Sequence, residues 1–506
     1  LLALNAVGSA AVRASARGPL PGANAAVGLL SLMGAFELVR WAAKHPGARV
    51  TRWLLAPGEL LQRRLTTREP SVEQLAVAQT ALARLLDLEQ GGGESAAGRV
   101  DETMRITTIA DARGDIQRGL EVVEVCIGAP HMMKGEFTDG AGPGIDVYSM
   151  RQPLGVVAGI TPFNFPAMVP FWFLPYALAT GNTFVVKASK QVPMTMQLIT
   201  DYIDRTGLPP GVYNLVNGDR TVADAFMDHP KVRGVSLVGS TPTCRQVAEK
   251  CAKANKRFQA MGGAKNHLVA MPDAKIDEVV RNMITSCYGC AGQRCMASSA
   301  IIGVGEATYQ TICRKFIEDS KKIIMANPLD PKYAEEPMLM GPVISARAKQ
   351  FILEMIDKGV KEGATLALDG RNVRVAGCEN GHFVGPTVFT DVKPGMEIHR
   401  TEIFGPVVVI LKADSLDEAI EIINNHQYGN GASIYTQNGY WARKFKLEAE
   451  CGMIGVNVGI PAPVAYLPFG GMKASQFADI KAQGKAIINF FTEDKTITER
   501  YWPEES

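Results

Sequence analysis

Short apolar runs alternate with amphipathic stretches along most of the chain. Gly155–Ile160 is a compact apolar run closed by Pro162. Ala177–Lys187 turns through Gly181-Asn182 into the run Thr183–Lys187. Val212–Val216, Val232–Val238, Thr365–Leu368, Val407–Leu411 and Ala432–Thr436 have the same character. Such runs, bounded by turn residues, read as strands. Between them Val222–Asp228, Thr243–Ala254, Glu306–Ile324, Ala346–Gly359 and Ala419–His426 read as helices. Further upstream, Thr107–Ala129 is helical, with Ile109, Ile116, Leu120, Val123 and Ile127 as its apolar positions. Ser71–Glu89 is another helix, capped by Ser71 and striped by Leu75, Ala78, Leu82 and Leu85, and Gly91–Gly98 breaks the pattern after it. Strands alternating with helices predict βαβ units and a parallel sheet. The expected fold class is α/β, with at least two layered domains.

Composition narrows the class without naming it. The 506 residues are 46% apolar and 21% charged, which excludes wholesale disorder, a coiled coil and a collagen-like fibre. A net charge of +2 gives no basic face for nucleic acid. Nine cysteines are too sparse for a disulfide scaffold and read as reduced thiols, one of them a candidate nucleophile. Residues 1–58 contain one acidic residue, Glu37, against Arg13, Arg17, Arg40, Lys44, Arg49 and Arg52. That composition fits an organelle-targeting segment or an aberrant N-terminus over 1–60, with a mitochondrial address expected and a cytoplasmic one as the alternative. Ala23–Ala43 is apolar, but Glu37 and Arg40 inside it argue against a membrane span.

Five short motifs could carry chemistry. Gly289–Ala297 places Cys295 after Arg294, and a cationic neighbour with nearby backbone N–H groups favours a nucleophilic thiolate. A buried structural cysteine is the alternative. The pair Cys287 and Cys290 has no second pair to complete a zinc site. Asn164 lies between two prolines and two aromatics, as a pinned oxyanion donor or a turn residue would. Lys187 ends a buried strand, where it faces a ligand crevice or snorkels to solvent. Gly239-Ser240-Thr241 leads from strand to helix, suiting either a phosphate or an ordinary cap. Glu402-Ile403-Phe404-Gly405-Pro406 offers a carboxylate for a sugar hydroxyl and an aromatic face, or a plain loop.

The order and spacing of these motifs resemble the aldehyde dehydrogenase superfamily from about Asp111 to the C-terminus. More narrowly, four phrases are similar to its CoA-acylating semialdehyde branch. They are Asp111–Asp115, Pro162–Pro170, Gly263–His267 and Cys295–Ala297. The resemblance implies a Rossmann-like cofactor domain over 61–129 and 153–257 and a catalytic domain over 258–470. It also implies a small β oligomerisation element over 130–152 and 485–498, giving a homodimer or homotetramer.

The same resemblance implies that Cys295 attacks the aldehyde while Asn164 and a backbone N–H hold the oxyanion. It implies that Thr161, Phe163, Lys187, Lys190, Gln191, Ser240, Glu402 and Phe404 contact NAD, and that Arg118 and Arg294 clamp a substrate carboxylate. No metal is implied. The general-base glutamate of hydrolytic members falls at Met261, whose thioether is only a weak acceptor. The expected acyl acceptor is therefore CoA, and the expected products are propionyl-CoA or acetyl-CoA with CO₂ and NADH. A different acyl substrate or a catalytically silent relative are the alternatives. Lys190, where a glutamate is usual, leaves NADP open. Ala188 and Cys244 also depart from the pattern, and the family's N-terminal strands have no counterpart in residues 1–106.

Overall fold

A computed structural model describes residues 108–333 and 336–502. The expected helix Ser71–Glu89, the break after it and the N-terminal basic stretch lie outside the described residues. Among the described residues, no helix is long and apolar enough to cross a membrane.

Helix α1, Ile109–Cys126, opens with Thr108 accepting the Asp111 N–H at 3.1 Å. Its buried face is Asp115, Gly119, Val122 and Cys126. Ile109, Ile116, Leu120 and Ile127 of the expected apolar stripe are instead exposed. The period identified the helix but not its inward face. Two close approaches decided that face. Asp115 reaches the backbone at the start of α2, Met168–Phe171, and a Cβ on Gly119 would lie 2.6 Å from the Phe171 ring.

An antiparallel pair, β1 (Phe137–Gly142) and β2 (Ile145–Pro153), follows α1. Then comes the first parallel sheet: β3 (Val156–Ile160), β4 (Thr183–Lys187), β5 (Tyr213–Val216), β6 (Val232–Val238) and β7 (Arg257–Met261). A short antiparallel strand, Gln476–Phe477, joins its edge, and the order is Gln476–Phe477, β7, β6, β3, β4, β5. The chain runs outward from β3 to β5, then crosses back to β6 on the other side of β3. That reversal creates a crevice at the carboxyl end of β3, the position where doubly wound sheets bind ligands. Helix α3, Thr241–Lys253, follows β6 with Ser240 as its N-cap. Strand β7 pairs in parallel with β6, so it belongs to the first sheet.

The second sheet contains β8 (Asn266–Ala270), β9 (Ser298–Val304), β10 (Thr365–Leu368), β11 (Thr387–Thr390), β12 (Val407–Ala413), β13 (Gly431–Tyr435) and β14 (Met453–Val456). Its order is β10-β11-β12-β9-β8-β13-β14, with only the β10–β11 pair antiparallel. Strands β8, β11 and β13 are buried along their whole length, as expected for strands covered on both faces. The last strand, β15 (Thr492–Arg500), pairs antiparallel with β2 in a separate three-stranded sheet. That sheet is built from the two segments expected to form the oligomerisation element.

Candidate active site

Three of the expected cofactor positions sit at carboxyl ends of neighbouring strands. Thr161 follows β3, Lys187 ends β4, and Ser240 lies just beyond β6. The Thr161 hydroxyl donates to the Lys187 carbonyl at 3.4 Å, joining the first two. Lys187 is buried, and its Nζ donates to the Ala188 carbonyl at 3.0 Å. Burial lowers its pKa, with Asp219 opposing and Lys190 adding to the shift. Lys190 is exposed beside it, and the Gln191 N–H donates to Ser189 Oγ at 3.3 Å. Ser240 is exposed at the N-terminus of α3, its Oγ 3.0 Å from Thr243 Oγ1. Cys244, expected to crowd this terminus, is fully buried with its sulfur 3.3 Å from the Met261 carbonyl.

Cys295 belongs to a loop that glycine allows to fold tightly. Gly292 has φ +72°, and a Cβ there would lie 2.3 Å from the Gly405 carbonyl oxygen. The cysteine loop is thereby braced directly against the Glu402–Pro406 loop. Phe404, at φ +54°, meets Phe163 edge-on with ring centroids 5.9 Å apart. This contact joins the loop after β3 to the Glu402–Pro406 loop.

Two buried amides fix the Cys295 backbone. Asn266 donates to the Cys295 carbonyl at 3.0 Å and to the Ala297 carbonyl at 2.9 Å. Asn430 donates to the Cys295 carbonyl at 3.1 Å. Nothing in the sequence pattern marks Asn430. Asn164 is buried, and among the described residues no group hydrogen-bonds its side-chain amide. Its loop is held from below by Asp115, whose carboxylate accepts the Ala167 N–H at 3.0 Å and the Met168 N–H at 2.8 Å. Burial pushes the Asp115 carboxyl up to about 6, against the pull of those two bonds.

Cys295, expected to act as a thiolate, is a half-buried thiol in this structure. Burial pushes the thiol up to about 12, and the nearby Glu402 carboxylate adds to the shift. The backbone N–H groups of Cys295 and Met296, and Arg294, act in the expected direction but are outweighed. Glu402 itself is pushed up to about 7 by burial, although it accepts the Ala264 N–H at 2.9 Å. Lys265 lies close by, its Nζ donating to the carbonyls of Ile398 at 2.8 Å and Thr401 at 3.1 Å. Burial pushes this ammonium down to about 7, with Glu402 opposing. Met261 ends β7 as a buried side chain.

The two arginines expected to clamp a carboxylate each have partners in the protein. Arg294 Nη2 lies 2.5 Å from Asp111 Oδ1, and its Nε donates to Cys290 Sγ at 3.3 Å. Burial opposes its charge, but Cys290 and Asp111 outweigh that and raise its pKa. Arg118 pairs with Glu121 on its own helix at 2.7 Å and reaches the Pro463 carbonyl at 3.5 Å. Asp111, Asp115 and Arg118 are spaced four and three residues apart, which puts them on one face of α1. That spacing is readable in the sequence, although the roles of Asp111 and Asp115 were not.

A second buried cluster stands behind Glu402. His267 Nε2 and His399 Nε2 are 2.9 Å apart, and His426 Nε2 lies 3.1 Å from the His399 carbonyl. The three rings pack edge to face. Burial, with the Lys265 ammonium adding to it, holds all three below the ordinary histidine range, His399 at about 3 and His426 at about 4, and neighbouring histidines add to the shifts of His267 and His399.

Fold and site together define a two-sheet α/β protein whose half-buried cysteine lies on a loop braced against the Glu402–Pro406 loop. The chain belongs to the aldehyde dehydrogenase family, an oxidoreductase family whose model matches residues 101–497. A second family model, for a protein of unknown function (DUF1385), matches residues 27–88. The chain is 45% identical over 397 residues to a malonate-semialdehyde dehydrogenase of Pseudomonas aeruginosa, covering 78% of this chain and 79% of that one. It is 43% identical over 424 residues to the mitochondrial acylating methylmalonate-semialdehyde/malonate-semialdehyde dehydrogenase of Bos taurus, covering 84% and 75%. Among solved structures, one from Sinorhizobium meliloti 1021, described as a methylmalonate-semialdehyde dehydrogenase and complexed with NAD, superposes with a TM-score of 0.77. Its identity is 44%, over 85% of this chain and 86% of that one. The methylmalonate-semialdehyde dehydrogenase of Oceanimonas doudoroffii gives a TM-score of 0.76 at 39% identity, over 86% and 88%.

Proposed function

We propose that this protein oxidises malonate semialdehyde or methylmalonate semialdehyde with NAD and transfers the acyl group to CoA. The observation that carries the reading is the Cys295 loop, braced on the Glu402 loop, together with a buried Asn164 amide that has no hydrogen-bond partner among the described residues. The names of the relatives support the substrate class.

The crevice suits a dinucleotide. It lies at the reversal of strand order, one wall ends in the buried Lys187, and another ends at the exposed N-terminus of α3. Thr161, Phe163, Lys187, Lys190, Gln191, Ser240, Glu402 and Phe404 would hold it. A bound nicotinamide supplies the hydride acceptor that aldehyde oxidation requires.

The chain's own residues supply the rest. Cys295 must first lose its proton, because the thiolate is the nucleophile. It then adds to the aldehyde carbon, and the carbonyl oxygen becomes an oxyanion. Asn164 donates to that oxyanion, where one such donor contributes about 3–4 kcal/mol of barrier lowering. After oxidation the acyl group is a thioester on Cys295. Met261 cannot activate water. The β-carboxylate leaves as CO₂, the carbanion left behind takes a proton from water, and the CoA sulfur then displaces the Cys295 sulfur, which takes up the proton that CoA loses, giving acetyl-CoA or propionyl-CoA.

The test combines intact mass and product analysis. Incubation with malonate semialdehyde and NAD should add an acyl mass to the protein, abolished in Cys295→Ala. With CoA present, acyl-CoA should be the main product. Free acid as the main product would overturn the acyl-transfer reading, and an adduct retained in Cys295→Ala would overturn the choice of nucleophile.

A further inference from the structure

The guanidinium of Arg294 is boxed on three sides. Asp111 Oδ1 holds Nη2 at 2.5 Å, and Cys290 Sγ holds Nε at 3.3 Å. Below it is Gly289, where a Cβ would lie 2.4–2.6 Å from the guanidinium carbon and both terminal nitrogens. Arginine has five N–H donors in a rigid fork, so two anchored nitrogens fix the plane and leave donors on Nη1 and Nη2 for a ligand. Arg294 is also the residue next to Cys295. A carboxylate bound to this fork would therefore hold the attached aldehyde at a set distance from the sulfur.

We propose that Asp111 is a positioning residue for substrate selection, orienting Arg294 so that its free N–H donors receive the carboxylate of a 3-oxo acid. The proposal rests on the reading of the substrate as a carboxylated semialdehyde. Asp111 carries a negative charge, so charge alone predicts that it repels such a substrate. Orientation predicts the reverse. An unanchored arginine has about 2 kcal/mol of rotamer entropy to lose on binding, whereas an anchored one has already lost it. The same helix face carries Arg118 two turns further on, so α1 presents an anchor and a second cation together.

Steady-state kinetics with malonate semialdehyde and with propanal, an uncharged aldehyde of equal length, separate the two arguments. In Asp111→Asn the ratio of KM for the acid to KM for propanal should rise at least ~10-fold, the scale of one charge-assisted contact, while kcat for the acid changes less than ~2-fold. Asp111→Glu should restore part of the ratio. Gly289→Ala, which leaves Asp111 intact but displaces the guanidinium, should raise it as Asp111→Asn does. If Asp111→Asn fails to fold, Gly289→Ala decides the matter. An unchanged or lowered ratio in Asp111→Asn, or in Gly289→Ala where that variant decides, overturns the proposal. Arg294→Gln tells this apart from failure of the underlying reading. A raised ratio in Arg294→Gln alone leaves the carboxylate reading standing without Asp111, and no change in Arg294→Gln removes both.

Discussion

Replacing His399 with Gln should make the protein less sensitive to acid. His267, His399 and His426 are 1%, 2% and 5% exposed, and the fold holds them all neutral. In the unfolded chain each titrates near its ordinary value of 6.5. The folded values are depressed, so the unfolded state binds more protons as pH falls, and stability is lost from about pH 6.5 downward toward the folded values. At pH 5 each neutral histidine costs about 2 kcal/mol by linkage, and three acting together cost about 6 kcal/mol. That is comparable with the whole stability of many domains, about 5–15 kcal/mol. Asp115 and Glu402 work in the opposite sense, because burial raises their folded values to about 6 and about 7. The comparison of wild type with His399→Gln cancels their contribution, since both proteins keep them. Urea unfolding at pH 7.5 and at pH 5 should show the wild type losing about 2 kcal/mol more than the variant, one histidine's share. The segment that suffers carries His399 and Glu402 together, so NAD-dependent activity should fall in the same range. Equal losses in the two proteins, or histidine ring resonances that titrate near pH 6.5 in the folded state, would refute the reasoning.

Two further outcomes follow from single side chains. Asp115→Ala removes the acceptor for the Ala167 and Met168 N–H groups and loosens the loop that carries Asn164. Each lost charge-assisted bond is worth about 1.5–3 kcal/mol, so kcat should fall ~10–100-fold, with Cys295 still open to alkylation by iodoacetamide. Lys190 is exposed beside Lys187, and Lys190→Glu should shift the ratio of kcat/KM for NAD over NADP upward by ~10-fold or more, measured with both cofactors at fixed aldehyde.

The strands that carry the candidate site were legible because their signal is written in local motifs. The strand Thr183–Lys187 carries the same bounds in the pattern and in the fold, and Val232–Val238 does too. Both are short apolar runs between turn residues, a signal that needs no tertiary context. Helix α1 shows the limit of that signal. Its apolar residues lie on more than one face, so periodicity located the helix while packing against α2 chose the buried side. Arg294 shows a second limit. Its position beside Cys295 was evident, but its partner Asp111 is 183 residues away along the chain.

By itself the sequence determined an α/β chain, the alternation of its strands and helices, and a cysteine set among glycines in a motif shared with aldehyde-oxidising enzymes. Those properties depend on residues close together in the chain. The tertiary structure decided the surroundings of that cysteine, because burial and the Glu402 carboxylate arrive from distant segments and oppose the effect of the neighbouring arginine. It also decided which amides pin the Cys295 carbonyl and which carboxylate steers Arg294. Hydrogen bonds and desolvation act through space over a few ångströms, and only folding brings such groups within that range.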